Sequence, residues 1–453
     1  MKKDFTQGNP GKVILLFALP MLIGNIFQQL YSTVDTIVVG NFVGKNAVGA
    51  VGGTFSIQFL ILALAMGFTT GMSVVISQLY GAKEFDKLKR AFSTSAIFSV
   101  ILSVVLGLAG IFLINPLLTY MLQTPAEIYA DSYIYLFITF AGYPVTLIYN
   151  MYASVLRAIG DSKTPLYFLI ISTVANIILD LVLVIQFGMG VMGVALATLI
   201  AQCISAVCCH IYVGRKYDIL KLTKDTLVID KDLLKAIIKY GVPSAIQQSV
   251  LSLNFMVVQR FVNFFGTDMT ATFSVINKIE NFVTMPMMNL AMALSMFSGQ
   301  NIGAGEEKRA IKGVYDTAKI QACFWVVIVF ILPIVAPQLI TLFGMGDDAN
   351  VMRIGVQAIG ICSKLYILFA IMQTLSNFLR GVGDAKFSMF TTICMILIRL
   401  PITYVLVHIV QYGEMSIWIG MGMGWFTVMT INAVRFFKGG WRGKAFVQVK
   451  KEA

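Results

Sequence analysis

Twelve runs of about twenty or more apolar residues, parted by short polar breaks, govern what this chain can fold into. A helix of that length crosses the hydrocarbon of a bilayer, and only segments that satisfy their own backbone hydrogen bonds are stable there. The runs fall at 13–39, 54–80, 92–115, 131–156, 164–187, 192–213, 236–262, 270–300, 314–336, 354–379, 387–410 and 416–437. The chain is therefore expected to be all-α and polytopic, with about twelve transmembrane helices. Length alone would suggest about three soluble domains, but 58% hydrophobic and 12% charged residues exclude that. The opening MKKDFTQGNPGK is too polar and too long ahead of its first apolar run for a cleaved leader, so 13–39 is read as a retained span.

A net charge of +12 raises the question of nucleic acid, and its distribution answers it. Of 34 Lys and Arg, six (Lys45, Arg260, Lys278, Arg353, Lys364 and Arg399) fall in outer loops, outer span ends or mid-span, and the other 28 cluster on alternate breaks and at both termini. That is the positive-inside pattern, with both termini cytoplasmic, so no nucleic-acid partner is implied. The six cysteines lie in apolar runs without the spacing of a zinc site or a disulfide framework, and His210 and His408 are isolated near span ends.

Internal similarity supplies the organisation. LRAIGDSK at 156–163 matches LRGVGDAK at 379–386, an offset of 223, and the same offset places Pro20 on Pro243. At 222, GNFVG (40–44) falls on VNFFG (262–266), and the Gln78 to Ala82 stretch falls on Gln300 to Ala304. Matches in one order at nearly one offset indicate a duplication. Six spans per half return the second half in the same orientation, a parallel repeat. The expected division is a six-helix lobe over 1–213, a polar cytoplasmic linker over 214–235 and a second six-helix lobe over 236–453, an architecture suited to alternating access.

Function is sought where the halves differ. VANIILDLVLVIQFG, Val174 to Gly188, carries Asn176 and Asp180 in an otherwise bilayer-compatible run, four residues apart and so on one helical face. In the repeat their counterparts are Arg399 and Thr403, and that of Asp35 is Val258. A carboxylate needed only to build a bundle would occur in both halves; one confined to a single half marks an ion or substrate pathway. Gln28, Tyr31 and Asp35 share a face of the first span, and Thr198 with Gln202 forms an i, i+4 pair in the sixth. Asn150 offers a further amide, although Thr198 or Asn150 alone would be explained by ordinary helix-helix hydrogen bonding. Carboxylate, amide and hydroxyl oxygens together can hold a dehydrated monovalent cation; equally, two close carboxylates in low dielectric can share a proton. The residues leave H⁺ and Na⁺ both open. Pro20 interrupts the first span and is expected to mark a kink that serves gating, although Pro243 repeats it. Glu280 is expected to partner Arg399 as a structural pair in the second half.

NIILDLVLV followed by GVMGVALAT, the Pro20 to Asp35 span, RAIGDSKTP, SQLYGA and its echo GQNIGAG resemble the multidrug and toxic compound extrusion (MATE) transporters, bacterial DinF-like and NorM-like, over essentially the whole chain. The resemblance implies two lobes around a V-shaped cavity in the plasma membrane of a bacterium. It also implies export of lipophilic organic cations in exchange for H⁺ or Na⁺, with no other cofactor, by a monomer among membrane lipids. Asp35, Asn176, Asp180 and Thr198 then match the family's coupling-cation site, the only metal position expected, while Gln28, Tyr31 and Asn150, with Gln202 beside them, match its substrate cavity. Members with a second-lobe ion site carry acids in the seventh and tenth spans, and this chain has none there. The competing reading is a flippase for lipid-linked saccharides of the same superfamily, but an anionic pyrophosphate lipid calls for several basic residues in the cavity. An enzyme is not expected, since HExxH and GxSxG are missing, and neither is a nucleotide-driven pump, since GxxxxGK[ST] is missing.

Overall fold

The computed structural model describes residues 4–223, 226–346 and 348–447; the ends of the expected lobes at 1–3 and 448–453, and 224–225 of the expected linker, lie outside them. Thirteen α-helices and no strand occur among the described residues. In chain order they are α1 (Pro10–Val38), α2 (Lys45–Gly81), α3 (Phe85–Pro116), α4 (Ala126–Ala141), α5 (Tyr143–Ala158), α6 (Lys163–Asp180) and α7 (Gly190–Lys216). After a short 3₁₀ turn at Asp218–Leu220 come α8 (Lys231–Phe264), α9 (Thr267–Gly303), α10 (Glu307–Leu342), α11 (Ala349–Gly381), α12 (Ala385–Tyr404) and α13 (Ser416–Phe437).

Ten of these, in places extended by π turns, are long and apolar enough to cross a membrane, and α4 with α5 makes an eleventh span bent by 49°. The break within the expected 131–156 span has a local cause: Pro144 sits in the first turn of α5, where its missing N–H costs nothing, and cannot continue α4. The expected span at 236–262 lies in α8. That helix is long enough, but Gln247, Gln248, Asn254, Gln259 and Arg260 keep it out of the apolar set.

Contacts divide the described residues into two compact units, one of 19–245, the other of 4–18 and those from 246 onward. Each unit thus includes the segment that leads into the other unit's first long helix. In the second unit, Phe5 is buried against Phe17 and Phe297, at ring separations of 4.9 and 6.1 Å. Arg309 of α10 donates to the carbonyls of Phe5, Gln7 and Gly8 at 3.0, 2.6 and 2.7 Å, and Asn301 Nδ2 donates to that of Phe5 at 3.1 Å. In the first unit the repeat-equivalent stretch is tied to α3: Val228 N donates to Ser93 Oγ at 2.9 Å and Asp230 N to Thr94 Oγ1 at 3.0 Å. Pro20 and Pro243 stand within two residues of the points where α1 and α8 pass from one unit to the other. Within the first unit α2 and α8 meet backbone to backbone, and a Cβ on Gly71 would lie 2.5 Å from Gly241 N.

The repeated GDSK and GDAK sequences have a shared job. Asp161, between α5 and α6, accepts hydrogen bonds from the backbone of Lys163 and Thr164 at 3.1 and 3.0 Å, from Thr164 Oγ1 at 2.6 Å and from Tyr217 OH at 2.5 Å. It therefore both caps α6 and ties it to the end of α7. Its counterpart Asp384 accepts from Arg435 Nε, in α13, at 2.9 Å. Burial alone would raise the Asp161 carboxyl, but the hydrogen bonds from Thr164 and Tyr217 and the nearby Lys216 outweigh it and hold the group below the usual carboxylate range. A lowered folded pKa stabilises at neutral pH and loses that contribution as pH falls through the lowered value. Asp161→Ala is expected to lose on the order of 2 kcal/mol of stability at pH 7. Thermal melts of the purified protein should show the gap to wild type closing as pH falls below about 4.

Candidate functional site: a carboxyl pair inside the first unit

The first unit assembles its polar core from α1, α4, α5, α6 and α7. Asn176 and Asp180 occupy the last turns of α6 and are fully buried, whereas Asp35, near the end of α1, is half-buried. The Asp35 and Asp180 carboxyls lie within interaction distance of each other. Two bare carboxylates at close range repel in low dielectric, so a proton or a cation between them is favoured. Tyr31, one turn before Asp35, donates its hydroxyl to Thr198 Oγ1 of α7 at 2.9 Å, closing the ring from α1 to α7. Tyr31 and Tyr135 of α4 both lie within electrostatic reach of the two carboxyls.

A second polar chain lies beside the first. Thr146 Oγ1 donates to Gln202 Oε1, and Asn150 Nδ2 donates to the Thr146 carbonyl at 2.8 Å, joining α5 to α7. Between the two lies a cavity of about 190 Å³, with Tyr135, Thr146, Thr198 and Gln202 as polar lining and Phe55 and Phe59 among its aromatic walls. Asp35, Asp180, Tyr31 and Thr198 are therefore in one network, Gln202 and Asn150 in its neighbour, and Asn176 lies one turn from Asp180 in the same helix. Gln28 is exposed on α1 and makes no side-chain hydrogen bond among the described residues. Pro20 is buried within α1, fifteen residues before Asp35.

Sequence reasoning missed Tyr135 and Thr146. The one available signal was the i, i+4 spacing of Tyr135 and Thr139 in an aromatic-rich run, which alone does not separate a site from packing. Just past Asp180 the helix widens into a π turn, Leu181–Gln186, a feature often found at functional sites. Here it belongs to the fold, because α12 ends the same way at Val405–Ile409 without any acid.

In the second unit buried Val258 replaces Asp35, and buried Arg399 and Thr403 replace Asn176 and Asp180. Arg399 lies within electrostatic reach of Glu280 of α9, and no ion pair joins them within 4 Å among the described residues. The Arg399 stem runs over Gly424, whose absent Cβ would lie 3.4 Å from Arg399 Cβ and Cδ, and the repeat position in the first unit is Ala201.

A duplicated helical bundle with membrane-spanning helices and a carboxyl pair in one repeat has the form of a membrane transporter. The MatE family model matches residues 20–182 and again 243–405, each bound 223 residues on from its counterpart. Probable multidrug resistance protein YoeA of Bacillus subtilis is 30% identical over 96% of this chain and 95% of its own length. Probable multidrug resistance protein NorM of Thermotoga maritima is 25% identical over 96% and 94%. Among solved structures, a MOP superfamily transporter from Pyrococcus furiosus superposes with a TM-score of 0.89 at 24% identity, covering 97% of this chain and 98% of that one. A MATE protein in the bent conformation gives 0.90 at 23% identity, covering 97% of each. The chain belongs to the MatE family, the multidrug and toxic compound extrusion transporters.

Removing buried Arg399 takes away a cation within electrostatic reach of Glu280 and the packing of its stem on Gly424. Arg399→Gln is expected to destabilise the protein by on the order of 1 kcal/mol. Adding Glu280→Gln should restore part of the loss, a coupling readable as a double-mutant cycle of melting temperatures in detergent.

Proposed function

We propose that this protein is a multi-pass exporter of the plasma membrane of a bacterium, with cytoplasmic termini, that expels lipophilic organic cations in exchange for H⁺ or Na⁺ by alternating access. The observation that carries the reading is the Asp35–Asp180 carboxyl pair brought together from α1 and α6 within the first unit, with Asp180 fully buried. One carboxyl pair can hold a proton, or a dehydrated Na⁺ completed by oxygens of Asn176 and Thr198. An organic cation in the adjoining cavity satisfies the same negative charge, while Phe55, Phe59 and the tyrosines accept its apolar body and delocalised charge. Ion and drug then compete for one charge, the condition that makes an exchanger out of two binding sites. Gln202 lines the cavity, Tyr31 and Asn150 hold its lining residues Thr198 and Thr146 through hydrogen bonds, Gln28 offers an amide to the drug along α1, and Pro20 supplies a bend in α1 that opens or closes the path. The names of YoeA and NorM, each a probable multidrug resistance protein, support the substrate class.

Purified protein in liposomes, with Na⁺ and pH gradients imposed separately, tests the proposal through ethidium-like efflux. Asp35→Asn and Asp180→Asn each keep size and hydrogen bonding but remove a titratable, coordinating oxygen, so each should lower ion-driven efflux by at least tenfold while the protein still inserts. Undiminished efflux in either variant would reject the site. Transport of anionic polyprenyl lipids in place of cations would favour a flippase.

A further inference from the structure

A different feature lies at the basic end of the same unit, away from the carboxyl pair. Where α6 begins and α7 ends, a groove of about 420 Å³ is lined by Phe168, Cys208, Ile211, Tyr212, Arg215 and Lys216. Its floor is apolar: the Phe168 and Tyr212 rings meet edge to face at 5.6 Å. Its rim is cationic. Arg215 is exposed and forms no ion pair among the described residues. Lys216 Nζ donates to Tyr212 OH at 2.7 Å and stands 3.8 Å from Asp161 Oδ2. That carboxylate already takes hydrogen bonds from Thr164 and Tyr217, so it neutralises Lys216 only in part.

Two exposed apolar stripes lead into the groove. On α7, Ile200, Ile204, Val207 and Ile211 follow helical spacing and remain exposed in the folded chain. On α6, which packs antiparallel to α7, Tyr167, Ile171, Val174 and Ile178 do the same. Exposed apolar stripes on helices long and apolar enough to span a membrane suit lipid contact, and the groove lies at the ends of two such helices, where headgroups would be met. Aliphatic lane, aromatic floor and paired cations complement one ligand: a phospholipid whose acyl chain lies along α6 and α7 and whose anionic headgroup meets Arg215 and Lys216.

We propose that this groove is a binding site for an anionic phospholipid. Positive-inside orientation assigns it to the cytoplasmic leaflet. The site is independent of the carboxyl pair and survives or fails apart from the transport reading.

Native mass spectrometry of the full chain, released from micelles doped with equal phosphatidylglycerol and phosphatidylcholine of the same acyl length, tests it. Wild type should retain phosphatidylglycerol preferentially. Arg215→Gln should cut that preference about fivefold, and Arg215→Gln with Lys216→Gln about twenty-fivefold. Cys208→Trp, which fills the groove without changing charge, should lower retention of both lipids. Lys312→Gln with Lys319→Gln, on an exposed face of α10, should change nothing. A preference unchanged in the Arg215 variants, or lost equally in the α10 variant, would overturn the site. Displacement of the lipid by millimolar inorganic phosphate would also overturn it, in favour of a free-anion site.

Discussion

Two carboxyl groups held close together inside a membrane bundle form an arrangement that cannot be left alone. With Asp180 fully buried and Asp35 half-buried, the pair favours a third party, a proton or a small cation, and the surrounding groups suit either. Asn176 is one turn from Asp180, and the Tyr31–Thr198 hydrogen bond fixes α1 against α7 beside the pair. Under the proposed function that demand for a partner lets the unit take up and release a cation, and the cavity against Tyr135 and Thr198 is where an organic cation would compete.

The second unit shows what the same fold does without the pair. Val258 removes one acid, Thr403 the other, and Arg399 brings a positive charge of its own, held near Glu280 and accommodated by Gly424. The duplicated scaffold keeps its architecture regardless. Asp161 and Asp384 fasten equivalent helix junctions, and π turns end α6 and α12 alike. What the repeats share is thus construction, and what they do not share is chemistry. The segments before α1 and α8 each pack with the unit that contains the other helix's far half, so the second unit joins two separate stretches of the described chain.

Much of this was legible before any coordinates. An acid in an apolar run is conspicuous, a four-residue spacing puts Asn176 and Asp180 on one face, and a 223-residue offset identifies which polar groups lack a counterpart. The residues that escaped did so for physical reasons. Tyr135 is an aromatic among aromatics, and its placement near the carboxyls depends on how α4 packs, which periodicity does not encode. Gln28 shares a helical face with Tyr31 and Asp35 yet is exposed, because a face two turns long need not be covered along its whole length. The packing of Phe5 with Phe297 is a contact across almost three hundred residues, invisible to any local pattern. The α4–α5 break was readable in Pro144, while hydropathy alone passed over it.

Competition between the coupling ion and an organic cation for the Asp35–Asp180 charge is the central claim, and equilibrium binding tests it most directly. The affinity of detergent-solubilised protein for an ethidium-like cation would be measured by fluorescence across a pH series, with and without Na⁺. The account predicts that raising H⁺ or Na⁺ weakens the cation's binding, that the cation reciprocally weakens the ion's, and that Asp35→Asn removes most of this dependence. Affinity flat in both ions, or an ion dependence unchanged in Asp35→Asn, would contradict it.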